Sequence, residues 1–566
     1  MTQRGKIISI VFVSLCFFGF VILALPPTCN LIINLVEQLM GRELRDPGRW
    51  IEIIQHCSTI ALCVIALVFF LGLTKKGNEF ALLIKQECNP FFQFLCSRSF
   101  VIMSVGTFAF YFLCFYKLID SDFYYADDLW RSFDGSRSWI GFSRYVSEFL
   151  SIVLHNNVYL PDIAPLTQFI SLAVYSFSTI LLAWLVTERK VTVSSLVICS
   201  LLFLSPFNAQ NLSYRFDSPY MALATFFPIV PFLFKEEKKS FVFISIISLI
   251  LCCMSYQSGT SIYILLAMYF AISMWLKKDS YKQIGTFVGF SVVSFAGALV
   301  LFKILFMNTL GDDVSYSASV SLSAIPHNIR IYLSSILSLF GGLWIKVFVV
   351  LNVLVTFILA VRISRQNKLV TAIFLIVMGL LALFLSFGPY LVFAKPLFSP
   401  RAFTGFSMLI TLVGISLYKN LFVSGGGKKA LLIPAFCLVY GCIVFQFAYG
   451  VALAEQKQYQ DFRVEHLLSD LSQHTIQDEK NYVSFSGSIG LSDGIAVNSD
   501  TFPLINQLIS VVPSGGGIWN DDLLSSYNFN CEDEYLSENP GWPLLQTSYY
   551  HDIYGEGNHF FIVLNN

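Results

Sequence analysis

The chain has 566 residues, of which 55% are hydrophobic and only 13% are charged, and its mean hydropathy is +0.67. A soluble globular domain carries about 25% charged residues, so this composition excludes a string of soluble domains and indicates a protein that lies mostly in lipid. The 36 basic and 36 acidic residues cancel, which excludes the strong positive field expected of a nucleic-acid-binding protein.

Long apolar runs dominate the first 450 residues. A helix that crosses a bilayer needs about 20 mostly apolar residues, and by this criterion the sequence predicts about thirteen spans. They lie at residues 7–25, 51–73, 99–119, 166–187, 191–206, 220–234, 240–254, 260–276, 284–306, 343–361, 369–387, 403–421 and 430–450. The predicted fold class is therefore a mainly α, polytopic membrane protein.

Lysine and arginine are concentrated in every second loop. These loops include residues 4–6, 75–98, 189–190, 235–239, 277–282, 362–368 and 419–429. The positive-inside rule places them in the cytoplasm together with the N-terminus. An odd number of spans then puts the C-terminus, and the loops at 120–165, 211–218, 255–258 and 389–401, on the outer side.

The composition changes to that of a soluble domain at residue 451. The runs at 482–485 and 560–564 predict strands, and residues 456–472 predict a helix. We therefore expect three parts: an N-terminal helix pair (1–98), a transmembrane core (99–450) with a large external loop (120–165), and a small mixed α/β periplasmic domain (451–566). No catalytic motif is found in the third part, which favours a lid or packing role.

The loop after the third predicted span is rich in carboxylates. Asp120, Asp122, Asp127 and Asp128 lie within nine residues where an apolar helix meets the outer face. Acids at such a place are costly unless they are hydrated or serve a site. Repulsion between Asp127 and Asp128 raises one pKa, which suits a proton acceptor. A solvated loop with an aspartate N-cap is an equal alternative on spacing alone.

An amphipathic helix is predicted in the same loop. From residue 142 to 154 the apolar residues recur every three or four positions, with Arg144, Ser147, Glu148 and Ser151 opposite. We expect this helix to lie flat on the membrane. An acidic cluster followed by such a helix suits a reaction on a lipid-linked substrate, whereas a simple packing helix is the alternative.

Three further external loops contain unusual polar residues. Residues 211–218 contain Tyr214, Arg215 and Asp217; residues 255–258 contain Gln257; and residues 389–401 contain Lys395 and Arg401. Cations on the side that carries few of them indicate a phosphate, because arginine binds phosphate through two hydrogen bonds. Snorkelling of these side chains to lipid phosphates explains them equally well.

Several short motifs occur in order along these external loops. They are Tyr-Ala-Asp-Asp-Leu-Trp-Arg at 125–131, Gly135, Trp139, Gly141 and Arg144, Asp-Ile-Ala-Pro-Leu-Thr-Gln at 162–168, Tyr-Arg-Phe-Asp-Ser at 214–218, and Pro-Arg at 400–401. In this order they resemble the serotype-converting O-antigen glucosyltransferases of Gram-negative bacteria and their phages, the Gtr type II family. The resemblance covers roughly residues 99–421.

The resemblance implies a GT-C-like glycosyltransferase of the bacterial inner membrane. Such an enzyme takes a sugar from undecaprenyl phosphate and adds it to lipid-linked O-antigen on the periplasmic side, downstream of a donor synthase and a flippase. No cofactor and no metal are expected. In shorter members we expect the acidic loop after the first span, so residues 1–98 are interpreted as an added helix pair.

The resemblance also implies roles for individual residues. Asp128 is the first candidate for the general base and Asp127 the second. The predicted ligands of the donor phosphate are Arg131, Arg215, Arg401 and Lys395. Asp217 is expected to orient Arg215 or the acceptor sugar, and the other predicted acceptor or orienting residues are Tyr214, Gln257 and Arg144.

Two other functions stay open on sequence grounds. A polymerase or ligase of lipid-linked glycan works on the same membrane face and changes chain length or attachment. A transporter or flippase requires ionisable residues in mid-span, whereas only Lys303 and Lys346 occur, near span ends.

Overall fold

The computed structural model describes residues 25–40, 75–307, 320–423, 429–475 and 479–565, together with isolated positions between 19 and 65. The predicted spans at 7–25 and 51–73 lie almost wholly outside these residues. In the remaining N-terminal part, two helices are described, α1 (Pro26–Met40) and α2 (Lys75–Leu95). The sequence indicated a basic loop where α2 lies.

Helices make up most of the described chain up to residue 471. They are α3 (Arg98–Asp120), α4 (Asp128–Asp134), α5 (Tyr145–His155), α6 (Leu166–Val186), α7 (Val193–Cys199), α8 (Leu201–Leu204), α9 (Ala209–Ser213), α10 (Ser218–Phe226), α11 (Lys238–Cys253), α12 (Thr260–Lys277), α13 (Tyr281–Leu305), α14 (Ile325–Leu339), α15 (Leu343–Ile363), α16 (Lys368–Leu385), α17 (Thr404–Val423) and α18 (Ile433–Leu471). A 3-10 helix, Phe227–Phe234, continues α10.

The predicted polytopic helical fold is confirmed. Within the described residues, eight helices are long and apolar enough to cross a membrane, or nine if the bent pair Val193–Leu204 and Pro206–Ser213 forms one span. The bend of 56° follows Ser205 and begins at Pro206, whose ring prevents the helix from continuing unbroken. The predicted spans at 220–234 and 240–254 are also helical, the second being only 16 residues long.

The basic loops meet at one end of the helix bundle. Lys277, which ends α12, and Lys419, in the last turns of α17, both pair with Glu188, at 2.8 and 3.0 Å. The backbone N–H of Arg365 donates to the carbonyl of Leu276 at 3.1 Å. The four loops predicted to be external lie at the opposite ends of these helices. Which end faces the cytoplasm stays a prediction.

The helix predicted at 456–472 is not separate. It is the second half of α18, which runs unbroken for 39 residues from the last apolar span into the C-terminal domain. Arg463 fixes α18 to the end of the chain, because its Nη2 donates to the carbonyls of Tyr550 and Asn565 at 2.8 and 2.6 Å. The domain therefore has a helical connection to the membrane rather than a flexible linker.

The C-terminal domain contains one five-stranded mixed sheet of order β2-β1-β5-β4-β3. Its strands are β1 (Asn481–Gly487), β2 (Cys531–Asp533), β3 (Leu544–Thr547), β4 (His551–Glu556) and β5 (His559–Leu564). β1 is parallel to β2 and β5, and the β3–β4 and β4–β5 pairs are antiparallel. The two predicted strands correspond to β1 and β5. Short helices α19 (Ala496–Thr501), α20 (Ile505–Leu508) and α21 (Asn520–Ser525) complete the domain.

The domain packs on the end of the bundle that carries the acidic loop. Its core, formed by residues such as Val464, Val483 and Ile562, also contains Leu129 from α4. α21 packs against α4 as well. The acidic loop is therefore held between the membrane helices and the C-terminal domain.

Candidate active site

Four loop segments converge at this end of the bundle, and the acidic loop lies at their centre. Its backbone turns at Ala126, with a φ of 50°, so that α4 begins directly after Asp127. α4 ends at Gly135, with a φ of 63°, a left-handed conformation that favours glycine. These two turns place Asp127 and Asp128 side by side against the segment at residues 211–218.

Asp128 is fully buried and holds two segments of backbone together. Its Oδ2 accepts hydrogen bonds from the N–H groups of Tyr125 and Arg215 at 3.1 and 3.0 Å, and its Oδ1 accepts one from Phe216 at 3.4 Å. Burial raises the pKa of Asp128 to about 8, and the backbone N–H of Arg215 opposes that rise. A carboxylate enclosed in this way is placed to fix the loop.

Asp127 differs from Asp128 in its exposure and in its hydrogen bonds. The residue is partly exposed, and within the described residues its side chain accepts no hydrogen bond. Burial raises the pKa of Asp127, and the guanidinium of Arg131 is the strongest opposing influence. Arg401 and Arg144 also act on this carboxylate. Asp127 is thus a carboxylate with a raised pKa and free lone pairs that opens toward cations.

Arg131 is a buried support rather than an open cation. Its side chain is 4% exposed and donates from Nη1 to the carbonyl of Arg137 at 2.6 Å. Its Nε lies 3.3 Å from Oδ2 of Asp217, and the guanidinium lies 4.4 Å from the centre of the Trp139 ring. Trp139 donates from Nε1 to Oδ1 of the same Asp217 at 2.5 Å. Asp217 therefore orients Arg131, and no ion pair joins it to Arg215 among the described residues. The alternative expectation, that Asp217 orients the acceptor sugar, stays a prediction.

Arg215 is also engaged by carboxylates. It donates to Asp162 at 2.8 Å and to Asp122 at 2.5 Å, and its guanidinium lies 4.1 Å from the centre of the Tyr124 ring. Asp122 and Asp162 belong to the two ends of the loop at 120–165. Arg215 consequently holds that loop against the segment at 211–218. Because Asp162 and Asp122 occupy its Nη1 and Nη2 donors, few of its N–H groups are left to bind a phosphate.

Arg401 and Arg144, here called the arginine pair, have no carboxylate partner among the described residues. Arg401 donates from Nη1 to the hydroxyl of Tyr214 at 2.6 Å. Arg144 donates to Oε1 of Gln257 at 3.4 Å and lies 4.5 Å from the centre of the Tyr256 ring. Both residues are partly exposed. Lys395 is exposed in the same loop as Arg401.

Sequence comparison identifies the kind of protein to which this geometry belongs. Residues 115–412 match the sequence model of the family described as Glucosyl transferase GtrII. The chain belongs to this family. A similar protein of Salmonella phage P22, described as an uncharacterized 55.3 kDa protein in the 5′ region of gtrB, is 24% identical over 469 residues, which cover 75% of this chain and 91% of that protein. No solved structure matches the chain.

The family membership makes this GtrII chain a glycosyltransferase, and its long apolar helices make it a membrane protein. The matched range contains every residue that was predicted for the site. The C-terminal sheet lies outside the matched range. The catalytic, phosphate-binding and orienting roles predicted for individual residues stay predictions.

Helix α5 of the GtrII chain has its polar face turned inward. Ser147, Glu148 and Ser151 are buried, whereas Phe149 and Val153 on the opposite face are exposed. Ser147 donates to the carbonyl of Ser255 at 3.0 Å, which ties α5 to the loop at 255–258. The predicted helix is confirmed, and its exposed apolar face is the side available to lipid.

A buried ion pair that the sequence did not indicate anchors α5. Arg137 donates from Nε to Oε1 of Glu148 at 2.7 Å, and both side chains are almost fully buried. Neither residue stood out in the sequence, because Arg137 resembles any other loop cation and Glu148 resembles a solvated residue of an amphipathic helix. Arg137 and Glu148 meet because the polar face of α5 points toward the protein interior.

Replacing Arg137 by methionine is expected to destabilise the GtrII chain by about 3–5 kcal/mol, because it leaves the Glu148 carboxylate buried without its main partner. The double variant Arg137→Met with Glu148→Met removes both charges and is expected to recover most of that loss. Thermal unfolding of the purified protein in detergent compares the three chains. A single variant as stable as the unsubstituted protein would contradict the anchoring role.

Proposed function

We propose that the chain transfers a glucosyl residue from an undecaprenyl-phosphate donor to a lipid-linked O-antigen repeat unit. The reaction takes place on the periplasmic side of the bacterial inner membrane and alters the serotype. Among the described residues, Asp127 accepts no hydrogen bond, its pKa is raised, and it interacts with two arginines, Arg401 and Arg144, that have no carboxylate partner. This observation carries the proposal. A base beside a phosphate clamp suits sugar transfer from a lipid phosphate.

The proposed base is Asp127 rather than Asp128. Asp127 accepts the proton of the acceptor hydroxyl as that oxygen forms a bond to the anomeric carbon of the donor sugar. The bond from this carbon to the phosphate oxygen breaks, and its electron pair leaves with the phosphate. Asp128 is enclosed by three backbone N–H groups, so an acceptor hydroxyl has no access to it.

The leaving phosphate gains negative charge, and fixed cations lower the energy of that state. Arg401 and Arg144 are proposed for this role because both residues are partly exposed and lack carboxylate partners among the described residues. Arg131 and Arg215 act indirectly, by holding the loops that carry Asp127.

The distribution of basic residues supports the periplasmic side. The end of the bundle opposite Asp127 collects the cationic loops, including Lys277, Arg365 and Lys419. The positive-inside rule assigns that end to the cytoplasm and the proposed site to the periplasm. Nucleotide sugars are absent there, which favours a donor already attached to a membrane lipid.

The proposal is tested by expressing the chain, beside an Asp127→Asn copy, in a bacterium that makes a defined O-antigen and undecaprenyl-phosphate glucose. Mass spectrometry of the released polysaccharide is expected to show one added hexose per repeat unit with the unsubstituted chain and none with the variant. An unchanged repeat would contradict the glucosyl transfer. A changed chain length without added hexose would favour a polymerase instead.

The pH dependence of transfer is expected to follow the ionisation of Asp127. Because burial raises the pKa of this base, the ionised and active fraction increases with pH through a midpoint above the ordinary aspartate value of about 3.9. The rate is therefore expected to fall as the pH is lowered toward that midpoint. Initial rates in vesicles over a pH series measure it, and a profile already flat just above about 3.9 would contradict the assignment.

A further inference from the structure

A cavity of about 520 Å³ lies at the end of the bundle opposite Asp127. Lysines from several loops and helices line it, and we call it the basic cavity. These lysines are Lys235, Lys238, Lys277, Lys282 and Lys419. The acids in its lining are Glu188, Glu236 and Asp279. Positive charge is therefore in excess around the basic cavity.

A second space of about 460 Å³, here called the apolar groove, runs between α12, α15, α16 and α17. Aliphatic and aromatic side chains such as Met268, Phe357 and Leu412 line most of it. At one end the lining becomes polar and includes Lys277 and Lys419, which also line the basic cavity. The two spaces thus adjoin and together present an apolar channel with a cationic mouth.

Some of these cations are already neutralised and others are not. Glu188 pairs with both Lys277 and Lys419. Three cations in the lining of the two spaces, Lys238, Lys282 and Arg365, have no carboxylate partner among the described residues. The cationic mouth of the apolar groove therefore has positive charges that are available to bind an anion.

We propose that the apolar groove and the basic cavity bind one anionic glycerophospholipid, with an acyl chain in the groove and the phosphate at the lysines. Basic pockets between membrane helices are a recurrent site for anionic headgroups. The length of the apolar lining selects a lipid over a small soluble anion. The charge excess selects an anionic headgroup over a zwitterionic one.

The proposed lipid is separate from the sugar donor. The site lies at the far ends of α12 and α17, whose near ends adjoin Gln257 and Arg401. Lipid binding is therefore measured without sugar transfer, and it does not depend on the proposed enzymatic function.

The test uses the purified full chain, stripped of lipid in detergent, with dioleoyl phosphatidylglycerol and dioleoyl phosphatidylcholine as probes. Native mass spectrometry is expected to show one retained phosphatidylglycerol, bound at least tenfold more tightly than phosphatidylcholine. Equal binding of the two lipids would overturn the proposal.

Two matched triple variants test the role of the cations in lipid binding. Lys238→Gln, Lys282→Gln and Arg365→Gln together are expected to weaken phosphatidylglycerol binding at least tenfold. Lys190→Gln, Lys239→Gln and Lys278→Gln remove the same charge from that end of the bundle but outside the two cavities, and these changes are expected to leave binding unaltered. An equal effect of the two triple variants would overturn the proposal.

The groove is tested at Gly379, which lies in its lining. A Cβ added there meets no atom within 4 Å, so a larger side chain extends into open space. Gly379→Leu is expected to weaken phosphatidylglycerol binding at least tenfold while the melting temperature of the lipid-free protein stays the same or rises. Binding as tight as in the unsubstituted protein would overturn the placement of the acyl chain.

Discussion

Asp127→Asn is expected to lower the rate of glucosyl transfer by about 10³-fold, within the range that general-base catalysis supplies. Asparagine has nearly the same shape but cannot accept the proton of the acceptor hydroxyl. The Asp127 side chain accepts no hydrogen bond among the described residues, so the substitution breaks no hydrogen bond there. Transfer from undecaprenyl-phosphate glucose by the purified variant in vesicles measures the rate, and thermal unfolding measures the stability.

Asp128→Asn is the matched comparison, and its effect is expected on stability first. In the unsubstituted protein, three backbone N–H groups donate to the Asp128 carboxylate. The amide N–H₂ of asparagine is itself a donor, so the variant places two donors face to face. Such a mismatch in a buried place costs about 1–3 kcal/mol, so the melting temperature falls. A stable but inactive Asp128 variant, together with transfer by Asp127→Asn within tenfold of the unsubstituted rate, would return the role of base to Asp128.

The transmembrane helices were predictable because lipid imposes a simple length and polarity rule. Each predicted span within the described residues is helical, even where Pro206 bends the chain. The long helix α18 was not foreseen as one element, because the composition changes at residue 451. No glycine or proline occurs between 451 and 471, so nothing in the sequence ends the helix there. The change of composition at residue 451 indicates where the chain leaves the membrane, whereas helix α18 continues to Leu471.

The location of the site was predictable, but the pairing of its charges was not. The alternation of spans places the four loops predicted to be external at one end of the bundle, and this placement does not depend on the contacts of their side chains. Which arginine is paired depends on residues far apart in sequence: Arg215 meets Asp122 and Asp162, which are 93 and 53 positions away. Spacing along the chain carries no information about such contacts, so Arg215 and Arg401 had the same predicted role.

Arg401→Gln is expected to lower kcat/KM for the undecaprenyl-phosphate donor by about 10²-fold or more, because removing one preorganised group that stabilises developing charge has effects of this size. Arg144→Gln is expected to act in the same direction. Initial rates at several donor concentrations in vesicles give kcat and KM separately. Arg215→Gln, which removes the partner of two acids, is expected to lower the melting temperature instead.

Tyr214→Phe separates the charge of Arg401 from its orientation. This variant removes the hydroxyl that accepts the 2.6 Å hydrogen bond from Arg401 and leaves the guanidinium in place. Loss of one such bond to a charged group is worth about 1.5–3 kcal/mol, so its effect on transfer is expected to be smaller than that of Arg401→Gln. Negative charge on the phosphate grows as the sugar leaves, so Arg401→Gln is expected to reduce kcat more than it raises KM. An effect confined to KM would instead identify Arg401 as a group that only binds the donor.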